Sequence, residues 1–465
     1  MDGGGLCVPG LRGFAADGNP QVFECMSRGS MHEVSELLEE YDATLIHGIR
    51  CAVGPHDSMR GSIEIADGRF TSIGRDRATS FAKASKSIDI DLSGFLVMPG
   101  LVNAHDHLQF ALYPNLGNPP YRNYIEWGED INATLADVIA THRSIAKDVR
   151  LWWGGIRNLL CGVTTVCHHD PLWPELQGND FPVRVVRQFG WAHSLGLGGD
   201  LQEARSATPA GRAFILHACE GIDDRARQEV FELDRLGVLD ASTVLVHGLA
   251  LDRAGVLLIE QRQASLIICP SSNQFLFGRT PDMELLGTVE NIALGSDSPL
   301  TATGDLLDES RFAIESSGVT PDRAYRMVTE TAATILHLEC GEGALTLLGQ
   351  ADLIAVRDTG DHAAERLRTL AMTDIELVII RGRVQLASET VYSLLPPQAK
   401  HGLEPLWIDG SIRWLRVPVK ELVRKAEAVL GSGQVQLGGR LIRRPDASTA
   451  VSTTSQLPLP GWKSL

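Results

Sequence analysis

His105 and His107 stand one residue apart near the end of an apolar run, VMPGLVNAHDHLQF at 97–110. In an extended strand alternate side chains share a face, so the two imidazoles point the same way and Asp106 between them points the other. Three later apolar runs end on donors of the same kind: FILH on His217, VLVH on His247 and ALGSD on Asp297. Three imidazoles and a carboxylate drawn from these five residues suit a catalytic divalent metal that keeps one position for water. Such an ion lowers the pKa of water from about 15.7 to about 7, so a hydrolytic nucleophile forms near neutrality.

A strand end places only one donor, and several must meet at one point. Between Pro99 and residue 341 apolar strands alternate with helical segments such as RQEVFELDRLG and DRAGVLLIEQRQA, the pattern of parallel βα units. Seven strands are legible: GLVNAH, GVTTVCHH, VRVVRQFGWAH, AFILHACE, TVLVHG, SLIICP and NIALGSD. The span 99–341 therefore predicts an α/β fold, a distorted TIM (β/α)8 barrel whose eighth strand lies between 170 and 213. In such barrels the C-terminal strand ends share one mouth, where active sites are built. Strand-like pieces flank the barrel at 42–98 and at 342–395, which predicts one composite β-sandwich domain built from both sides. Residues 1–41 read as an N-terminal extension ending in a helix, MHEVSELLEEYDA. Residues 396–465 read as a C-terminal helical segment, VKELVRKAEAVLG, followed by a mobile Ser/Thr/Pro-rich tail.

Composition narrows the ligand. The formal charge of −16 argues against nucleic acid, whose phosphates demand a basic surface, and points to a small-molecule substrate. No apolar run is long enough to suggest a membrane span, and the first thirty residues lack a basic start followed by an apolar stretch, so a cytoplasmic location is expected. The eight cysteines show no CxxC spacing and suggest neither a zinc knuckle nor a disulfide scaffold. A homo-oligomer is compatible with this composition.

In order and wording, PGLVNAHDH, GVTTV, HACE, VHG, CPSSN and GSDSP resemble the motifs of the amidohydrolase superfamily over about residues 42–395. The likeness is to its mononuclear-metal branch, which includes guanine and cytosine deaminases, triazine hydrolases and imidazolonepropionase. The resemblance implies that His105, His107, His217 and Asp297 hold one divalent ion, Zn²⁺ first, with Fe²⁺ or Mn²⁺ suiting the same donors. It implies that Glu220 shuttles a proton, that His247 hydrogen-bonds the attacking water or the group attacked, and that Asp297 also serves catalysis. Binuclear relatives generally bridge two metals with a carbamylated lysine, and this chain has no lysine between Lys147 and Lys400.

The segment after His107, LQFALYPNLGNPPYRNYIEWGEDIN, reads as a wall or lid over the barrel mouth. Gln109, Tyr121, Trp127, His169, Asn273 and Arg279 are the candidate substrate contacts. The expected activity is hydrolysis of C–N bonds other than peptide bonds, foremost hydrolytic deamination of a small cyclic amidine or nucleobase-like compound. Opening of a cyclic amide, or displacement of a triazine or aryl substituent, is the alternative. A catalytically silent binding protein is the second alternative, and would normally have lost at least one ligand; here none is lost.

Overall fold

The computed structural model describes residues 41–75 and 87–445, so the expected N-terminal helix and the end of the tail lie outside the described residues. Before the Pro99-Gly100 break come β1 (Ala43–Ala52), β2 (Ser58–Ala66), β3 (Arg69–Arg75), β4 (Ser87–Asp91) and β5 (Phe95–Pro99). After it come eight parallel strands: β6 (Leu101–Asp106), β7 (Val163–His168), β8 (Arg184–Val185), β9 (Gly190–Ser194), β10 (Phe214–Ala218), β11 (Thr243–His247), β12 (Ser265–Ile268) and β13 (Ile292–Leu294). They form two arcs, β6-β7-β8 and β9-β10-β11-β12-β13. The arcs meet where Asp297 N donates to His105 O at 3.1 Å and Ser296 N to Asn103 Oδ1 at 3.1 Å. Gly295 permits this approach, because a Cβ there would stand 2.5 Å from His105 Cβ. The architecture is a TIM-barrel-like α/β fold.

The eighth strand was hidden inside one of the seven. VRVVRQFGWAH reads as a single run, yet Arg184 and Val185 pair with Thr165 and Val166 of β7, whereas Gly190 pairs with Phe214 of β10. The chain changes partner across Val186–Phe189, so one apolar run supplies the end of one arc and the start of the other.

The flanking strands also join. A last group comprises β14 (Leu353–Arg357), β15 (Leu377–Ile380), β16 (Arg383–Ser388), β17 (Glu404–Ile408), β18 (Ser411–Leu415), β19 (Gln436–Leu437) and β20 (Arg440–Arg443). β14 runs antiparallel to β5 with Leu353 opposite Pro99, so segments from both sides of the barrel share a twelve-stranded sheet. The reading of 396–465 as helix and tail needs correction. Its helix is present at Val419–Leu430, but β17 to β20 extend the sheet there. The signal was the Asp409-Gly410 turn, both residues at positive φ as a type I′ hairpin requires, between two alternating runs. No helix among the described residues is long and apolar enough to cross a membrane.

A buried ion pair ties the first barrel strand to its surroundings. Arg157, on the helix Lys147–Leu160, reaches Asp106 Oδ1 at 3.3 Å and donates to the backbone oxygens of Asp297, Ser296 and Gly304. Asn158 Nδ2 donates to Asp106 Oδ2 at 2.7 Å, and Asn103 Nδ2 to the same oxygen at 3.3 Å. Asp106 therefore faces the helix layer, as strand alternation predicts. Arg157→Met would leave a buried carboxylate and three carbonyls without their partner, a loss of about 3–5 kcal/mol. Denaturant unfolding is expected to show it, and a loss under about 1 kcal/mol, the range of an exposed ion pair, would contradict the assignment.

Candidate active site

The five expected donors do meet at the C-terminal strand ends. His217 Nε2 lies 3.3 Å from both His107 Nε2 and His105 Nε2. Asp297 Oδ1 lies 3.8 Å from His105 Nε2 and 4.0 Å from His107 Nε2. Donors on a tetrahedral shell of about 2.1 Å stand about 3.4 Å apart, so these separations match four ligands around one ion. The protons point the same way. His217 Nδ1 donates to His193 O at 2.8 Å and His107 Nδ1 to Asp170 Oδ2 at 2.8 Å, which turns both Nε2 atoms toward the centre. Burial, then the neighbouring imidazoles, holds His105 and His217 well below the ordinary histidine pKa. His217 Nε2 thus offers one lone pair to two ring nitrogens at equal distance. Protons alone cannot satisfy all three, whereas a cation at the point of convergence can.

His169 belongs to the same group. Its ring stands 4.3 Å from that of His217, Nε2 donates to Ala192 O at 3.0 Å, and Nδ1 is buried without a partner. With His105, His107 and His217 it makes four imidazoles within reach of one ion. Asp297 is grouped instead with His247 and Cys269, but its Oδ1 faces the imidazole cluster and links the two sets. Burial pushes the Cys269 thiol well up, which leaves it protonated and a poor donor beside a carboxylate.

Each donor is aimed by its neighbours. Burial would raise Asp170, but hydrogen bonds from His107 and Gln109 hold its carboxyl well below the usual carboxylate range. Burial pulls His107 down, and the Asp170 hydrogen bond and charge outweigh this and lift it, making Nε2 a stronger base. Asp297 Oδ2 accepts from Ser272 Oγ at 2.8 Å and from Thr301 Oγ1 at 3.2 Å. Asn273 Nδ2 lies 3.2 Å from His247 Nδ1; as donor it places the proton of the neutral ring on Nε2. That Nε2 is 3.6 Å from Glu220 Oε2. His247 itself is held neutral, down to about 4, by burial above all. Burial also pushes Glu220 well above the ordinary glutamate range, reinforced by the charges of Asp297 and Glu229. Cys219, His247 and Asp297 adopt left-handed φ of 55°, 77° and 48°, a conformation that costs a non-glycine residue energy and that the surrounding strands must hold.

A small cavity of ≈ 80 Å³ opens on this cluster, and its walls include His107, His217, Glu220, His247, Asp297 and Trp127. Of the expected substrate contacts, Trp127 alone lines it. Gln109 is corrected to a buried donor to Asp170, and Asn273 to the support behind His247. Tyr121 turns away to Asp130, His169 stands behind the ligand rings, and Arg279 is exposed to solvent. Residue type suggested these contacts, but backbone direction at each loop decides them. Tyr124 and His193, both legible as residues that could face the pocket, line the cavity too, and Phe110, Ile131, Asp170, Leu197, Leu300 and Thr301 line it with no expectation attached to them. Asp170 had a signal, an acid directly after the second-strand histidines; the role of His193 is carried by its backbone oxygen and leaves no mark in sequence.

Residues 192–384 match the profile of the amidohydrolase family. The chain is similar to a 5-methylthioadenosine/S-adenosylhomocysteine deaminase from Moorella thermoacetica, 24% identical over 72% of this chain and 92% of that protein. A protein of the same name from Natronomonas pharaonis is 27% identical, over 70% of this chain and 84% of its own length. Among solved structures, a zinc-bound adenosine deaminase from Xanthomonas campestris aligns with a TM-score of 0.58 at 18% identity, over 84% of this chain and 98% of its own. A zinc complex of an atrazine chlorohydrolase from Arthrobacter aurescens aligns at 0.57 and 17%, over 74% and 95%. At such identities the structures speak for the fold alone. The family profile over residues 192–384, the deaminase relatives and the ordered histidine motifs agree in marking the chain as similar to the amidohydrolase family, and they support a hydrolase acting on carbon–nitrogen bonds.

Proposed function

We propose that the protein is a mononuclear metal-dependent hydrolase that deaminates a small cyclic amidine or nucleobase-like compound. The observation that carries this reading is the buried carboxyl of Glu220, 3.6 Å from His247 Nε2 on the wall of the cavity that the imidazole cluster closes. The deaminase names of the relatives support the reaction, and zinc in the similar structures supports Zn²⁺ as the first metal to test.

His105, His107, His217 and Asp297 would hold the ion. When bound, it lowers the pKa of a coordinated water and so supplies a nucleophile near neutral pH. The residues do the rest. Glu220 accepts the proton that the water gives up as its oxygen joins the sp² carbon, and returns it to the departing nitrogen. The C–N bond breaks as the C–O bond persists, and ammonia leaves. His247, with its proton on Nε2, donates a hydrogen bond into the space where charge develops. Trp127, fixed by its Nε1 hydrogen bond to Leu116 O at 2.8 Å, walls the substrate side.

Glu220→Gln keeps the shape and removes the exchangeable proton. It is expected to retain metal while turnover, read as ammonia release, falls about 10²- to 10⁴-fold. Unchanged turnover would remove the shuttle role. Asp170→Asn should weaken divalent-metal binding about 10- to 100-fold in a competitive chelator titration, because His107 loses the charge that raises its basicity. Unaltered affinity would show that Asp170 only fills space.

A further inference from the structure

Resting on that reading, we infer that the substrate is a neutral, single-ring amino-heterocycle carrying no sugar and no ionised side chain. The cavity above the histidines holds ≈ 80 Å³. A dry cavity of about 150 Å³ accommodates benzene, and pockets for larger ligands run to about 300 Å³ and more. This space is thus short even of one ring, and far short of a two-ring base with its ribose.

The roof does not hang from a free hinge. Leu116 N donates to Leu300 O at 2.9 Å, Asn115 Nδ2 to Pro299 O at 2.7 Å and Tyr121 N to Leu276 O at 2.8 Å. Tyr124 N donates to Glu220 O at 3.3 Å and Ile222 N to Arg122 O at 2.8 Å. The segment is therefore fastened to the loops after β10 and β13 and to the helix Pro270–Phe277 after β12, and lifting it whole would break all five bonds. What can yield are the half-buried side chains of Phe110 and Leu197. Their movement makes room for a ring, not for a nucleoside.

Charge gives the second limit. Among the described residues no lysine or arginine lines the cavity, whereas Asp170, Glu220 and Asp297 do. A carboxylate or phosphate on the substrate would find no counter-ion among the side chains of the substrate wall, and burying it unpaired there would cost several kcal/mol. The remaining wall, with Trp127, Ile131 and Leu300, suits the faces of an uncharged aromatic ring.

The test separates binding from chemistry. The full-length Glu220→Gln chain, loaded with zinc, is titrated calorimetrically with cytosine, 2,4-diamino-1,3,5-triazine, 5′-methylthioadenosine and S-adenosylhomocysteine. At least one single-ring compound is expected to bind about tenfold or more tighter than either adenosine derivative. Leu197→Ala, which widens the wall that yields, should narrow that difference. Equal or tighter binding of an adenosine derivative, or no binding of either ring, overturns the inference. Ammonia release by the unaltered protein on the same compounds reports on the reaction: rings that bind first but release no ammonia would leave the size limit standing and remove deamination.

Discussion

Three imidazole nitrogens converge on one point in a buried site, and the protons available cannot satisfy them. With His217 Nε2 equidistant from His105 and His107, and a carboxylate oxygen closing the fourth corner, the arrangement suits a cation at the point of convergence. The surrounding structure reads as the means of enforcing that convergence. His193 O and Asp170 turn two rings inward, Ser272 and Thr301 hold Asp297, and Arg157 with Asn158 draws Asp106 out of the way. The same low dielectric that strengthens the pull of the clustered donors on a cation raises the pKa of Glu220. The donor cluster and the raised pKa of Glu220 therefore follow from one condition, the exclusion of water at a strand-end mouth.

That mouth depends on how the barrel arcs meet. β6 and β13 come together through Gly295, which brings the Asp297 backbone within hydrogen-bonding distance of His105 O. Left-handed backbone at Cys219, His247 and Asp297 turns the chain sharply as it leaves three different strands. Each such residue stores on the order of 1–3 kcal/mol, tolerable only because the neighbouring strands fix it. Elsewhere the twelve-stranded sheet continues β5 directly into β6, so the flanking unit also sets the start of the ligand strand.

Much of this was legible in residue order. His105, His107, His217, His247, Glu220 and Asp297 announce themselves because each closes or directly follows an apolar run, and strand ends in a parallel barrel must share a mouth. The pairing of Asp106 away from the site follows from alternation alone. What could not be read were features set by partner choice or by backbone atoms. β8 and β9 share one uninterrupted run, since a change of hydrogen-bonding partner need not interrupt an apolar pattern. His217 is aimed by a carbonyl that any residue at 193 would provide. Gln109 and Asn273 read from sequence as substrate contacts, but in the structure they serve Asp170 and His247, because a loop's direction decides whether an amide meets the cavity or the residue behind it.

The central claim is that these four side chains hold one metal ion on which turnover depends. Elemental analysis of the full chain, purified without added metal and assayed before and after chelation, measures it directly. The account predicts close to one divalent ion per chain, with turnover lost on chelation and restored on return of the ion. Two ions per chain, or a metal-free chain with undiminished turnover, would contradict it.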